Sequence, residues 1–149
     1  LRRSKEGSPV SIESLLRRPV CTLSPEATCE EAAQLMRDEG VGCVVVAERE
    51  RPLGIVTDRD LAVRVIAAGR EPGKTQLREV MSAEPVFLAK GRGFDQLLAT
   101  MRQQGVRRVP VVDDEGRLEG VISLDDLLPL LADQLGELAD AIRGEIAPR

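Results

Sequence analysis

The sequence predicts a mixed α/β (α+β) fold: two tandem β-α-β-β-α repeats related by a pseudo-two-fold axis, followed by a C-terminal amphipathic helix. Three observations carry this expectation. Gly54-Ile55-Val56-Thr57-Asp58-Arg59-Asp60 is an apolar strand end running into a hydroxyl and a carboxylate three residues apart. It returns 66 residues later as Gly120-Val121-Ile122-Ser123-Leu124-Asp125-Asp126. Upstream landmarks repeat at nearly the same offset: Met36-Arg37 with Met101-Arg102, Gly40-Val41 with Gly105-Val106, and Val44 with Val109. Beyond Ser123 the repeat gives way to Leu127, Leu131, Leu135, Leu138 and Ile142, an apolar stripe at helical spacing.

Taken in order, residues 1–9 are polar and expected to be flexible. Ile12, Leu15 and Leu16 have helical spacing in a short turn that stops before Pro19. Val20 to Leu23 is a short extended piece. Thr28 and Glu31 form a capping box for a helix facing inward through Ala32, Leu35 and Met36, and Gly40 suits its left-handed end. The Val-rich run from Val41 to Ala47 reads as a buried strand, and Leu53 to Val56 pairs back onto it across the polar turn 48–51. Thr57 then starts a helix carrying Leu61, Val65 and Ile66, ended by Gly69. Residues 10–69 are thus the first repeat, 70–76 a polar linker, and 77–131 the second repeat. In the second, Leu77, Val80 and Met81 echo Ile12, Leu15 and Leu16, and Pro85-Val86 echoes Pro19-Val20. Residues 132–149 form a C-terminal helical extension. Pro129, inside the apolar stripe, is expected to kink or break the helix, because proline forfeits a hydrogen bond and crowds the preceding turn.

Composition narrows the functions. With 149 residues the chain can bury one core or two small ones packed together. It holds no His, which removes Ser/His/Asp and Cys/His nucleophiles and His-based zinc sites. Two Phe, no Tyr or Trp and a net charge of −4 speak against a nucleic-acid partner. Three cysteines without Cys-x-x-Cys spacing suggest a reducing compartment. No apolar run has membrane-spanning length and no secretory signal is recognisable, so neither a membrane partner nor export is expected and a cytoplasmic location is the default. No nucleophile–base arrangement or clustered metal ligands point to an enzyme.

On the paired Gly-x-x-Thr/Ser-x-x-Asp motifs, the run Gly105-Val106-Arg107-Arg108-Val109-Pro110-Val111-Val112-Asp113 and the Met-x-x-x-Gly helix ends at Met36 and Met101, the chain resembles a tandem pair of cystathionine-β-synthase (CBS) domains, a Bateman module. Thr57-Asp58-Arg59-Asp60-Leu61 looks like small stand-alone bacterial members in particular. The resemblance spans about Val10 to Leu131. It implies a regulatory unit that binds an adenine nucleotide (AMP, ADP, ATP or S-adenosylmethionine) between the repeats, acts as a homodimer, needs no other cofactor and signals to an unidentified protein target.

The residues have chemistry that suits this. Asp60 and Asp126, each on the first turn of a helix, can accept the vicinal hydroxyls of a ribose. Thr57 and Ser123 present hydroxyls at helix starts where phosphate is electrostatically welcome. Apolar edges at Val20, Thr22, Val86, Leu88 and Val106, with Pro110 in the second-repeat run, are the expected walls for an adenine. Arg107 and Arg108 match phosphate oxygens, and the first repeat has Gly42-Cys43 in their place. The second-repeat site is therefore expected to be the better phosphate binder.

A plainer reading stands beside each assignment. Ser/Thr-x-x-Asp is also a helix cap, stabilising by about 1 kcal/mol with no ligand. Arg107 and Arg108 also fit a solvated strand edge, Arg59 and Arg64 also fit surface ion pairs, and the cysteines also fit small buried side chains. Taken together, these readings leave as the alternative function a ligand-free structural or protein-interaction module with occluded clefts.

Overall fold

The computed structural model describes residues 12–82 and 87–146; residues 1–9 and Val86 lie outside the described residues. The first half runs α1 (Ile12–Leu15), β1 (Thr22–Leu23), α2 (Cys29–Glu39), β2 (Cys43–Glu48), β3 (Arg51–Thr57) and α3 (Asp58–Asp60), which continues as a π-helical segment (Leu61–Ile66). A 3-10 turn (Pro72–Lys74) leads into the second half: α4 (Leu77–Val80), β4 (Leu88–Ala89), α5 (Phe94–Gln104), β5 (Arg108–Val112), β6 (Leu118–Ser123) and α6 (Leu124–Ile146).

Local signals act where they stand in the sequence. Thr28 Oγ1 accepts from the N–H of Glu31 at 3.2 Å, and the Glu31 carboxylate accepts from the N–H of Thr28 at 2.7 Å, closing the capping box of α2. Gly40 ends that helix at φ 66°, and Gly105 ends α5 at φ 63°. This is the left-handed conformation that costs a side chain free energy and glycine almost none.

Each half holds a three-stranded sheet, β1-β2-β3 and β4-β5-β6. The first pair of strands is parallel across the intervening helix, and the second pair is an antiparallel hairpin. The register shifts once in each hairpin, between Val46 and Ala47 and between Val111 and Val112, so even this irregularity is duplicated. Val44 and Val46 face the first core and Val109 and Val111 the second. Val45 and Pro110, pointing to the opposite faces, are buried as well. Sheets covered on both sides explain why these strands are apolar throughout instead of alternating.

The halves exchange their leading segments. Leu15 and Leu16 pack into the second core with Leu97, Ile122 and Leu127, while Leu77, Val80 and Met81 pack into the first with Val44, Val56 and Val65. Main-chain bonds pin each crossing. Arg17 and Val121 exchange N–H···O bonds of 3.1 and 3.4 Å, and the N–H of Leu77 donates to Ala27 at 2.8 Å. The connection over 70–76 is itself held down: Thr75 is only 3% exposed, donates to the Glu71 carbonyl at 2.8 Å, and its carbonyl accepts from Cys29.

Helix α6 runs unbroken through Pro129, so the expected break is absent. Proline removes the bond to the Asp125 carbonyl, but Leu124, Leu127 and Leu130 pack the flanking turns onto the second core and hold the helix through the gap. Beyond that anchor the stripe is open: Leu131, Leu135, Leu138 and Ile142 are exposed. No helix among the described residues is long and apolar enough to cross a membrane.

Candidate functional site

Each Gly-x-x-Thr/Ser-x-x-Asp motif sits where its hairpin ends and its helix begins. The N–H of Asp58 donates to the Gly42 carbonyl at 3.0 Å, and the N–H of Leu124 donates to the Arg107 carbonyl at 2.7 Å. The two helix starts are therefore anchored alike. In the first copy the capping box is closed: Thr57 Oγ1 accepts from the N–H of Asp60 at 3.2 Å, and Asp60 Oδ2 accepts from the N–H of Thr57 at 2.9 Å. That leaves Oδ1, whose partner among the described residues is Arg64 Nε at 3.8 Å. Arg64 is tied on its other side to the Val80 carbonyl at 2.7 Å, so α4 steadies it.

In the second copy Ser123 Oγ accepts from the N–H of Asp125 at 3.3 Å. Asp126 meets Arg17: Arg17 Nε donates to Oδ2 at 2.8 Å and Nη2 donates to Oδ1. This fork raises the Arg17 pKa, through the hydrogen bond first and the charge of Asp126 second.

Among the cavities between the halves, two adjoin the paired motifs. The larger, about 560 Å³, is lined by Thr57, Asp58, Arg59, Asp60 and Arg64 from the first half and Val106, Arg107, Arg108 and Asp125 from the second. Its size lies within the range of ligand pockets, roughly 300–1,000 Å³. The smaller, about 270 Å³, is lined by Arg17, Val20, Cys21, Val41, Gly42 and Cys43 facing Ser123 and Asp125. Arg108 borders both.

The arginines expected beside the second motif stand mostly elsewhere. Arg107 lines the larger cleft, opposite Thr57 and Asp60, and Arg108 lies between that cleft and the smaller one that holds Ser123. The reason is topological, because each cleft is built across the boundary, so the strand start of one half faces the helix start of the other. Gly42 makes room for this. A Cβ there would lie 2.6 Å from Arg108 Nη2 and 3.2 Å from Asp58 Oδ2.

The apolar walls divide. Val106 lines the larger cleft and Val20 the smaller. Leu88 is not a wall: it pairs with Val111 and is buried in the second core. Pro110 is buried within β5 opposite Val121. Thr22, on the edge strand β1, is exposed beside a shallow groove with Arg18 and Glu119. Val86 lies outside the described residues.

Two residues outside the expected site set stand at the clefts. Arg59 lines the larger cleft, and neither its side chain nor that of Arg108 forms a hydrogen bond or ion pair with a described residue. Arg107 is loosely paired, with Nη2 3.5 Å from Asp125 Oδ1. The other is Arg17, whose signal was its place after Leu16, matching Ser82 after Met81. Burial raises the Cys43 thiol pKa, with Arg108 opposing it, and burial likewise raises Cys21 and Cys29. No group of three or more candidate metal ligands occurs among the described residues.

Comparison with known proteins agrees with this architecture. A family model for the CBS domain matches residues 12–66 and 77–133. A protein of Methanopyrus kandleri is 37% identical over 120 residues, covering 80% of this chain, which in turn spans 61% of that relative's length. A CBS domain-containing protein of Bacillus subtilis is 38% identical over 117 residues, with 78% of this chain and 82% of the relative covered. A CBS domain protein of Pyrobaculum aerophilum, solved in complex with AMP, superposes with a TM-score of 0.73 at 28% identity, covering 79% of this chain and 90% of its own. A duplicated unit with exchanged leading segments, matched twice by one family model, has one reading: the chain belongs to the CBS-domain family, as a tandem pair.

Proposed function

We propose that this chain is a regulatory, non-catalytic module that binds an adenine nucleotide in the larger cleft and works as a homodimer. One observation carries the ligand reading. Asp60 keeps a carboxylate oxygen toward the cleft while two guanidinium groups, Arg59 and Arg108, stand in the same cleft without a carboxylate partner among the described residues. A ribose diol donates to Asp60 Oδ1, and the guanidinium forks take the phosphate oxygens. Val106 and Ile55 supply the apolar wall for the base. The AMP complex of the Pyrobaculum aerophilum protein supports the same ligand class. An interaction module with occluded clefts is disfavoured by the open space beside Asp60.

Titration calorimetry with AMP, ADP, ATP and S-adenosylmethionine tests this. At least one is expected to bind, and no heat from any of them up to millimolar concentration would overturn the proposal. Asp60→Asn keeps an acceptor for the Thr57 N–H but removes the charge facing the ribose. A hydrogen bond to a charged group contributes about 1.5–3 kcal/mol, so affinity should fall about tenfold to a hundredfold. Unchanged affinity in D60N would place the ligand elsewhere.

The homodimer rests on α6. Leu128, Leu131, Leu135, Leu138 and Ile142 recur at spacings of three, four, three and four and are all exposed, a seam of coiled-coil period. The positions flanking it, Ala132, Gln134, Ala139 and Ala141, are uncharged, so a second copy of the same helix brings no like charges together.

A further inference from the structure

We propose that Arg17 is a built-in occupant of the second cleft, and that it limits this chain to one nucleotide site. The inference rests on the nucleotide reading of the larger cleft and extends it to the number of sites.

The two clefts are built on one backbone plan and differ in the residue placed beside the motif carboxylate. Against Gly54 lie Met81 and the carbonyl of Ser82; against Gly120 lie Leu16 and the carbonyl of Arg17. A Cβ on either glycine would meet its neighbour's side chain at 2.9 Å and that carbonyl at 3.1 Å, so the two seats match closely. Ser82 and Arg17 are thus equivalent, each at the edge of a cleft next to the motif carboxylate. Serine is too short to reach across, and Asp60 Oδ1 faces only the long ion pair to Arg64 at 3.8 Å among the described residues. Arginine does reach, and its fork engages both oxygens of Asp126.

Backbone geometry keeps the plug in place. The reciprocal bonds between Arg17 and Val121 fix its Cα at the cleft edge, so only the side chain can move. The diol of a ribose would approach the same two carboxylate oxygens that the guanidinium fork engages, and although a carboxylate has about four acceptor sites, the fork stands in the space the sugar would take. The second cleft is also about half the volume of the first, about 270 Å³ against about 560 Å³, and it shares Arg108 with the larger cleft while Gly42-Cys43 adds no further guanidinium. Arg17 is 71% exposed and Asp126 17%, so the arginine can be shortened without opening a core.

The test is the number of AMP molecules bound per chain, measured by calorimetry on the full chain. Wild type is expected to bind one. Arg17→Ser, which copies Ser82, and Arg17→Gln, which keeps most of the stem, are each expected to bind two. Adding Asp126→Asn to R17S should return the count to one. Two sites in wild type, or one site in both Arg17 variants, would overturn the inference. Binding by R17S but not by wild type would support the plug and refute the nucleotide reading of the larger cleft. Silence in all of them would refute both.

Discussion

Gly54 and Gly120 show how single residues hold the two clefts in shape. Each lies where a strand passes beneath the leading segment borrowed from the other half, with a backbone carbonyl 3.1 Å from where its Cβ would be. At Gly120 that carbonyl belongs to Arg17 and is already bonded to Val121, so it has little room to yield. Gly120→Ala is expected to cost about 1–3 kcal/mol, the usual range for overpacking a filled site, measured as a shift in the urea midpoint at constant m. The strand motif made these glycines visible in the sequence. Their purpose was not, because the crowding atoms come from the opposite half of the chain. The same holds for Arg108: its fit over Gly42 depends on two strand starts meeting across a boundary that no local spacing encodes.

Among the elements, those set by neighbours in sequence were legible. The capping box at Thr28, the left-handed glycines and the Val-rich strand all follow from contacts a few residues apart. Pro129 misled, because the lost hydrogen bond is local whereas the packing of Leu124, Leu127 and Leu130 that outweighs it is tertiary. The distal part of α6 raises a different issue, for its leucines stand exposed among the described residues. Fully burying such a side chain contributes about 1.5–3 kcal/mol, and the seam offers several. Replacing both Leu135 and Leu138 with Glu is expected to turn a dimer into a monomer by analytical ultracentrifugation, weakening association by on the order of a hundredfold or more. Because these positions are exposed in the chain, the variant should keep the wild-type circular dichroism. A double variant as dimeric as wild type would show that the copies meet elsewhere.

At the scale of the whole molecule, the exchange of leading segments makes the two repeats one folding unit. The first repeat's core is completed by Leu77 and Val80, and the second's by Leu15. A fragment cut at the linker would leave each core without its lid, and neither half is large enough to compensate. Unfolding should therefore be a single transition, with calorimetric and van't Hoff enthalpies equal when compared at several protein concentrations to separate dimer dissociation. Leu77→Ala and Leu15→Ala should each cost about 2–5 kcal/mol and lower that one transition as a whole. Two resolved transitions, with L77A moving one and L15A the other, would mean that the repeats fold independently. The distinction bears on the proposed regulation: in a single unit, a nucleotide bound as proposed between Asp60 and the second half's arginines would stabilise both repeats at once, as ligand binding to the native state requires.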